Sequence, residues 1–222
     1  MSRLNFTALL IGFVLAPQLA LAQAAAPSAA SPTVSGERVY IDGFRSAQWG
    51  MNAAQVKAAI QKDFNIAADK AKGGENLAER TEVLSVTVAD LLEGAGPARV
   101  SYIFGYSSKK LIQVNILWGT AVDPQASAEK IVAAANQLRQ LFLDSGYDPA
   151  TVASNIKMND GSILVFEGED ADKHTTILRL ASATETAART GKAPKIIETA
   201  LSLSYVLDPR NPDIYRLKKG QF

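Results

Sequence analysis

Apolar positions recur along this chain with two periods, and each period predicts a different element. In the stretch GFRSAQWGMNAAQVKAAI, Gly43 to Ile60, and just beyond it, Val56, Ile60 and Phe64 repeat at i, i+4 and i+8. That is the spacing of one helix face laid on a core. Asn52 is placed to cap this helix, Gln55 three residues on to return the bond, and Met51 and Val56 to staple its entry, so the helix carries its own start signal. A second helix is predicted where Asp123-Pro124 supplies a cap and a first-turn proline. Ile131, Ala134, Ala135, Leu138 and Phe142 then share one face before Gly146 stops it.

Between and after the helices the period falls to two. Leu84, Val86 and Val88, then Val100, Tyr102 and Phe104, then Ile112, Val114, Ile116 and Trp118 alternate with Ser85, Thr87, Arg99, Ser101, Gln113 and Asn115. Each run reads as a strand with one apolar and one wet side, as antiparallel sheets have. GYSSKKL is a hairpin loop, and Lys109 and Lys110 at its tip read as solvated. After the second helix, strands are predicted around 153–157, 162–167, 174–181 and 199–207, with MNDGS as a turn. At its coarsest the order reads as helix plus three strands, stated twice. The expected fold is therefore α+β and two-layered, with amphipathic helices packed on antiparallel sheet.

The first residues change the setting. Arg3, the apolar run Phe6 to Val14 and the small residues ending in Ala20-Leu21-Ala22 have the form of a secretory signal peptide, with cleavage expected near Ala22. The run is interrupted by Pro17 and is far short of the ~20 residues of a spanning helix. Residues 23–36 contain only Gln, Ala, Pro, Ser, Thr, Val and Gly, and read as a flexible linker. The expected layout is a signal peptide over 1–22, this linker, and an α+β domain over 37–222, with 122 as the point where it would subdivide.

Cleavage removes Arg3, so 23 basic residues become 22 against 22 acidic ones. A neutral, exported chain has no electrostatic reason to bind nucleic acid or an anionic membrane. With no cysteine there is neither a lipidated thiol nor a disulfide framework. The expectation is a periplasmic or secreted protein without stable membrane insertion, held by its core alone.

The segment WGMNAAQVKAAI, Trp49 to Ile60, resembles the Gly-Met-(Ser/Thr/Asn)-x-x-x-Val helix start of uncharacterised exported alphaproteobacterial envelope proteins. It is distantly similar to that of the small accessory lipoproteins of the outer-membrane barrel-assembly machinery, from which this chain differs in having no cysteine to lipidate. The resemblance implies an envelope setting, an envelope protein as partner and a non-catalytic role.

Candidate chemistry is sparse. One histidine, His174, excludes a His-cluster zinc site, and neither a G-x-S-x-G elbow nor a phosphate-cradling glycine loop is present. Glu167, Glu169, Asp170 and Asp172 form a dense acidic loop that suits calcium by its oxygens and departs from it in spacing, so a solvated hairpin is the simpler reading. No catalytic, cofactor or metal site is expected. Phe44, Arg45 and Trp49 read either as a folding device beside the first helix, which is favoured, or as an exposed partner patch. The leading function is a non-catalytic binding or envelope-assembly accessory protein; an envelope hydrolase using Asp and Glu carboxylates and a small-molecule or calcium-binding protein are the alternatives.

Overall fold

The computed structural model describes residues 38–185 and 195–220, so the signal peptide and linker expected over 1–36, and the terminal Phe222, lie outside it. Two short strands, β1 (Gly43–Phe44) and β2 (Ala47–Gln48), form a ribbon ahead of helix α1 (Ala53–Phe64). Four strands follow: β3 (Lys72–Asn76), β4 (Thr81–Val88), β5 (Ala98–Phe104) and β6 (Leu111–Gly119). Helix α2 (Ala128–Leu143) precedes four more: β7 (Ala153–Lys157), β8 (Ile163–Glu169), β9 (Thr175–Glu185) and β10 (Lys195–Val206). All eight long strands join one antiparallel sheet in the order β3-β4-β5-β6-β10-β9-β8-β7. Each run of four is a meander, and the last strands of the two runs pair at the middle of the sheet.

This overturns the expected two-layer α+β fold of helix-plus-three-strand units. The protein is mostly β and 18% helical, and each helix is followed by four strands. Eight strands about 4.8 Å apart span close to 40 Å, whereas two helices each about 10 Å across cover roughly half of that, so the helices do not amount to a layer. Strand β3, KGGEN, escaped the alternation rule because all five of its residues are exposed. An edge strand paired on one side only needs no apolar face.

The core lies on one side of the sheet. Val86, Val100, Ile116, Leu203, Leu178 and Phe166 are cross-strand neighbours in six successive strands, and all are buried. Each such side chain contributes about 1.5–3 kcal/mol relative to exposure. Helix α2 lies against β6, β8, β9 and β10 and buries Ile131, Ala134, Ala135, Leu138 and Phe142, the five predicted for its inner face. Its start was misplaced: Ser127 is the N-cap, accepting the Lys130 N–H, while Asp123 bonds Gln125 in the turn before it. Helix α1 forms the predicted capping box, Asn52 and Gln55 exchanging side-chain and backbone bonds of 3.0 and 2.9 Å.

At the central seam Gly119 has a φ of +110°, and a Cβ there would sit 1.9 Å from the Thr199 carbonyl oxygen. Only glycine lets β6 run this close to β10.

Candidate functional site

The far side of the sheet lies away from both helices, whose buried faces belong to the core. Register aligns its side chains into rows. Ser85, Ser101, Asn115, Ser204 and Ile177 stand side by side on β4, β5, β6, β10 and β9, ending at Lys72 on β3 and Glu167 on β8. Flanking this row are Leu117 and Ser202 on one side, Ile103 and Gln113 on the other. All nine residues between the end charges are partly exposed. None is charged.

The two arginines on this face have partners of their own. The Arg99 guanidinium donates to the Ala121 carbonyl at 3.0 Å. Arg179 pairs with Asp160 and donates to Ser162 Oγ at 2.7 Å. Hydrogen bonds from Ser162 first, and then Arg179, pull the Asp160 carboxyl down to about 2. The middle of the face is thus small hydroxyls, amides and aliphatics, sharing with the centre of a protein interface its lack of charge but not its aromatic residues. Ser85 and Ser101 bond each other at 2.9 Å, and Gln113 bonds Asn115 at 2.8 Å, which holds these side chains in place.

The three residues singled out by sequence separate into two groups. Phe44 is half-buried and stacks on Phe64 of α1 and Tyr205 of β10, with centroids 6.5 and 6.0 Å away. Arg45 is exposed, has a left-handed φ of +54°, and lays its guanidinium 4.8 Å over the Phe64 ring. Trp49 makes its contacts elsewhere: its indole N–H donates to the Ile41 carbonyl at 2.5 Å, and its ring meets His174 edge-on. Beside the Arg45 cluster, Tyr102 is fully buried, its hydroxyl has no partner among the described residues, and burial pushes its ionisation well above the ordinary tyrosine value.

His174 and the acidic loop resolve into a single structural knot. Asp170, 1% exposed, takes the backbone N–H groups of Ile41, Asp172 and His174 and also the His174 ring Nδ1 at 3.0 Å. A carboxylate read as loop decoration is in fact buried, and backbone donors replace the water it has lost. Glu169 meets Arg210 and Lys173 instead, and among the described residues no group of carboxylates and histidine is arranged to hold a metal ion.

Sequence reasoning saw Ser101, Asn115 and their neighbours only as the wet sides of separate strands. The available signal was their smallness, since solvent-facing strand positions are commonly guarded by lysine and glutamate. The continuation of the row onto Ser204 and Ile177 depends on the β6–β10 pairing, which no local pattern encodes. No protein-family model, curated protein or solved structure matches the chain.

Proposed function

We propose that the chain is a non-catalytic binding protein of the bacterial cell envelope, and that its open sheet face docks a partner protein. The observation that carries this reading is the uncharged row Ser85-Ser101-Asn115-Ser204 with Leu117, Ile103 and Ile177 around it. The partner is an envelope protein presenting an uncharged patch of apolar and hydroxyl side chains, because a charge placed against this centre would lose its water and gain no counter-ion. The envelope setting rests on the signal-like N-terminus and on the resemblance of Trp49–Ile60 to exported envelope proteins.

The test is crosslinking and capture from intact periplasm with the wild type and with Leu117→Arg and Asn115→Arg, each checked by circular dichroism. A discrete partner retained by wild type and lost by both folded variants supports the reading. Equal capture by all three, or capture of nothing, sinks it.

A further inference from the structure

A cavity of about 300 Å³ opens where the central strand β6 begins and β10 ends. Leu207 continues the ladder, its N–H donating to the Ile112 carbonyl at 3.0 Å, and the chain then turns back over the β5–β6 loop. This returning segment is fastened: the Tyr106 N–H donates to the Asp213 carbonyl, the Asp213 carboxylate takes the N–H groups of Ser107 and Ser108, and the Tyr215 N–H reaches the Glu79 carbonyl. A Cβ on Gly105 would lie 2.2 Å from that carboxylate, so the close approach of the strap depends on glycine. The cavity beneath is therefore built into the fold and differs from a gap between loose loops.

Its lining combines Ile112, Val206, Leu207 and Pro212 with the charged side chains Lys110 and Asp208. Apolar walls with a few placed polar groups, in a volume at the low end of the range for small-molecule sites, are what a ligand pocket has. Lys110 takes part in none of the ion pairs formed among the described residues, although it shares this cavity with two aspartates. Asp208 commits Oδ1 to the Arg210 and Asn211 N–H groups, and among the described residues no hydrogen bond uses its Oδ2. Asp213 has both oxygens occupied. Burial opposes its ionisation, but the bonds from Ser108 and Ser107 outweigh that and hold it below the usual carboxylate range, so it is no general acid.

A cation and a carboxylate oxygen that share one apolar cavity, and do not reach each other, fit a ligand carrying both opposite charges. The geometry points to this cavity as a site for a zwitterion with an apolar side chain, namely a free aliphatic or aromatic α-amino acid. Its carboxylate meets Lys110, its ammonium meets Asp208, and its side chain lies on Ile112, Val206 and Leu207. Asp213 is already held by the Ser107 and Ser108 N–H groups, so a simple fatty acid would leave the free oxygen of Asp208 without a cation, and a simple amine would leave Lys110 without a ligand anion. This site shares Gln113 with the docking face, but Lys110 and Asp208 do not belong to that face, so either reading can fail alone.

The experiment is calorimetric titration of the purified protein with L-leucine and L-phenylalanine, using glycine, 3-methylbutylamine and 4-methylpentanoate as controls. Leucine or phenylalanine should bind saturably, and each control should bind about tenfold or more weakly, a loss of roughly 1.4 kcal/mol per decade. Lys110→Ala and Asp208→Asn should each weaken leucine at least as much while leaving the melting temperature unchanged, since both side chains are exposed. No binding of either amino acid up to roughly 10 mM, far weaker than a specific site of this kind, overturns the proposal. So does equal affinity for the amine or the acid, or wild-type affinity in either folded variant.

Discussion

Asp170 and Ile41 are 129 residues apart in sequence and joined by a 2.7 Å hydrogen bond, in which the Ile41 N–H donates to a carboxylate removed from water. Through this bond the segment leading into β1 is tied to the β8–β9 turn. Asp170→Ala would leave three backbone donors and the His174 ring without their acceptor. We expect a loss of about 3 kcal/mol, since buried donors left without an acceptor cost about 1–3 kcal/mol each. Urea denaturation measures it, and a loss below ~1 kcal/mol, the worth of one ordinary hydrogen bond, would refute the knot.

Trp49 and Asn52 should both act on stability. Asn52→Ala removes the cap of α1 and should cost about 1 kcal/mol. Trp49→Ala removes a half-buried ring and its bond to Ile41 and should cost about 3 kcal/mol, the low end for a large aromatic. Thermal melts decide between a folding device and a partner patch at this position. If the Trp49→Ala melt matches wild type while partner capture falls, the patch reading takes over.

Gly105→Ala should detach the strap without unfolding the sheet, because the added methyl meets the Asp213 carboxylate and Ser108 Oγ at 2.2 and 2.5 Å. Limited proteolysis should then cut within 208–216 faster than in wild type, with little change in the circular dichroism spectrum. Unaltered cleavage would show that the strap tolerates the displacement.

Acid should act through Asp160 and Asp213, whose folded carboxyls both lie below their ordinary value. A depressed folded value means that the ionised form is the stabilising one. Its contribution is complete above the unfolded value of about 3.9 and is lost as the pH falls through the folded value. For Asp160 that places the loss between roughly 3.9 and about 2. A carboxyl NMR titration should show its midpoint near the lower figure, and Arg179→Ala or Ser162→Ala should raise it. A midpoint near that of a free aspartate would contradict the arrangement on the sheet face.

Much of the local structure was legible because it is enforced locally. The alternation of Val100, Tyr102 and Phe104, the inner face of α2 and the Asn52–Gln55 box all follow from what each residue must bury or cap within a few positions. Fold class was misread for the same reason. Periodicity exposes helices clearly but not an edge strand such as KGGEN, and it says nothing of how strands are ordered in the sheet, so the weight of β was underestimated. Asp170 was misjudged because its partners, Ile41 above all, are far away in sequence. The open face was half-visible: Ser85, Ser101, Gln113 and Asn115 were seen as wet positions, but Ser204 and the row were not, since Asn115 and Ser204 become neighbours only through the central seam.

That seam has a further cost during synthesis. Strand β6 is complete at Gly119, yet its partner is the last strand made, and Trp118 waits for Leu201. Until then the first half of the sheet carries a raw inner edge rich in Val114, Ile116 and Trp118, the kind of edge that recruits other chains. A nascent chain stalled after α2 should therefore clump rather than fold, and the slow, long-range closure of β10 onto β6 becomes the step at which a holdase chaperone has the most to protect.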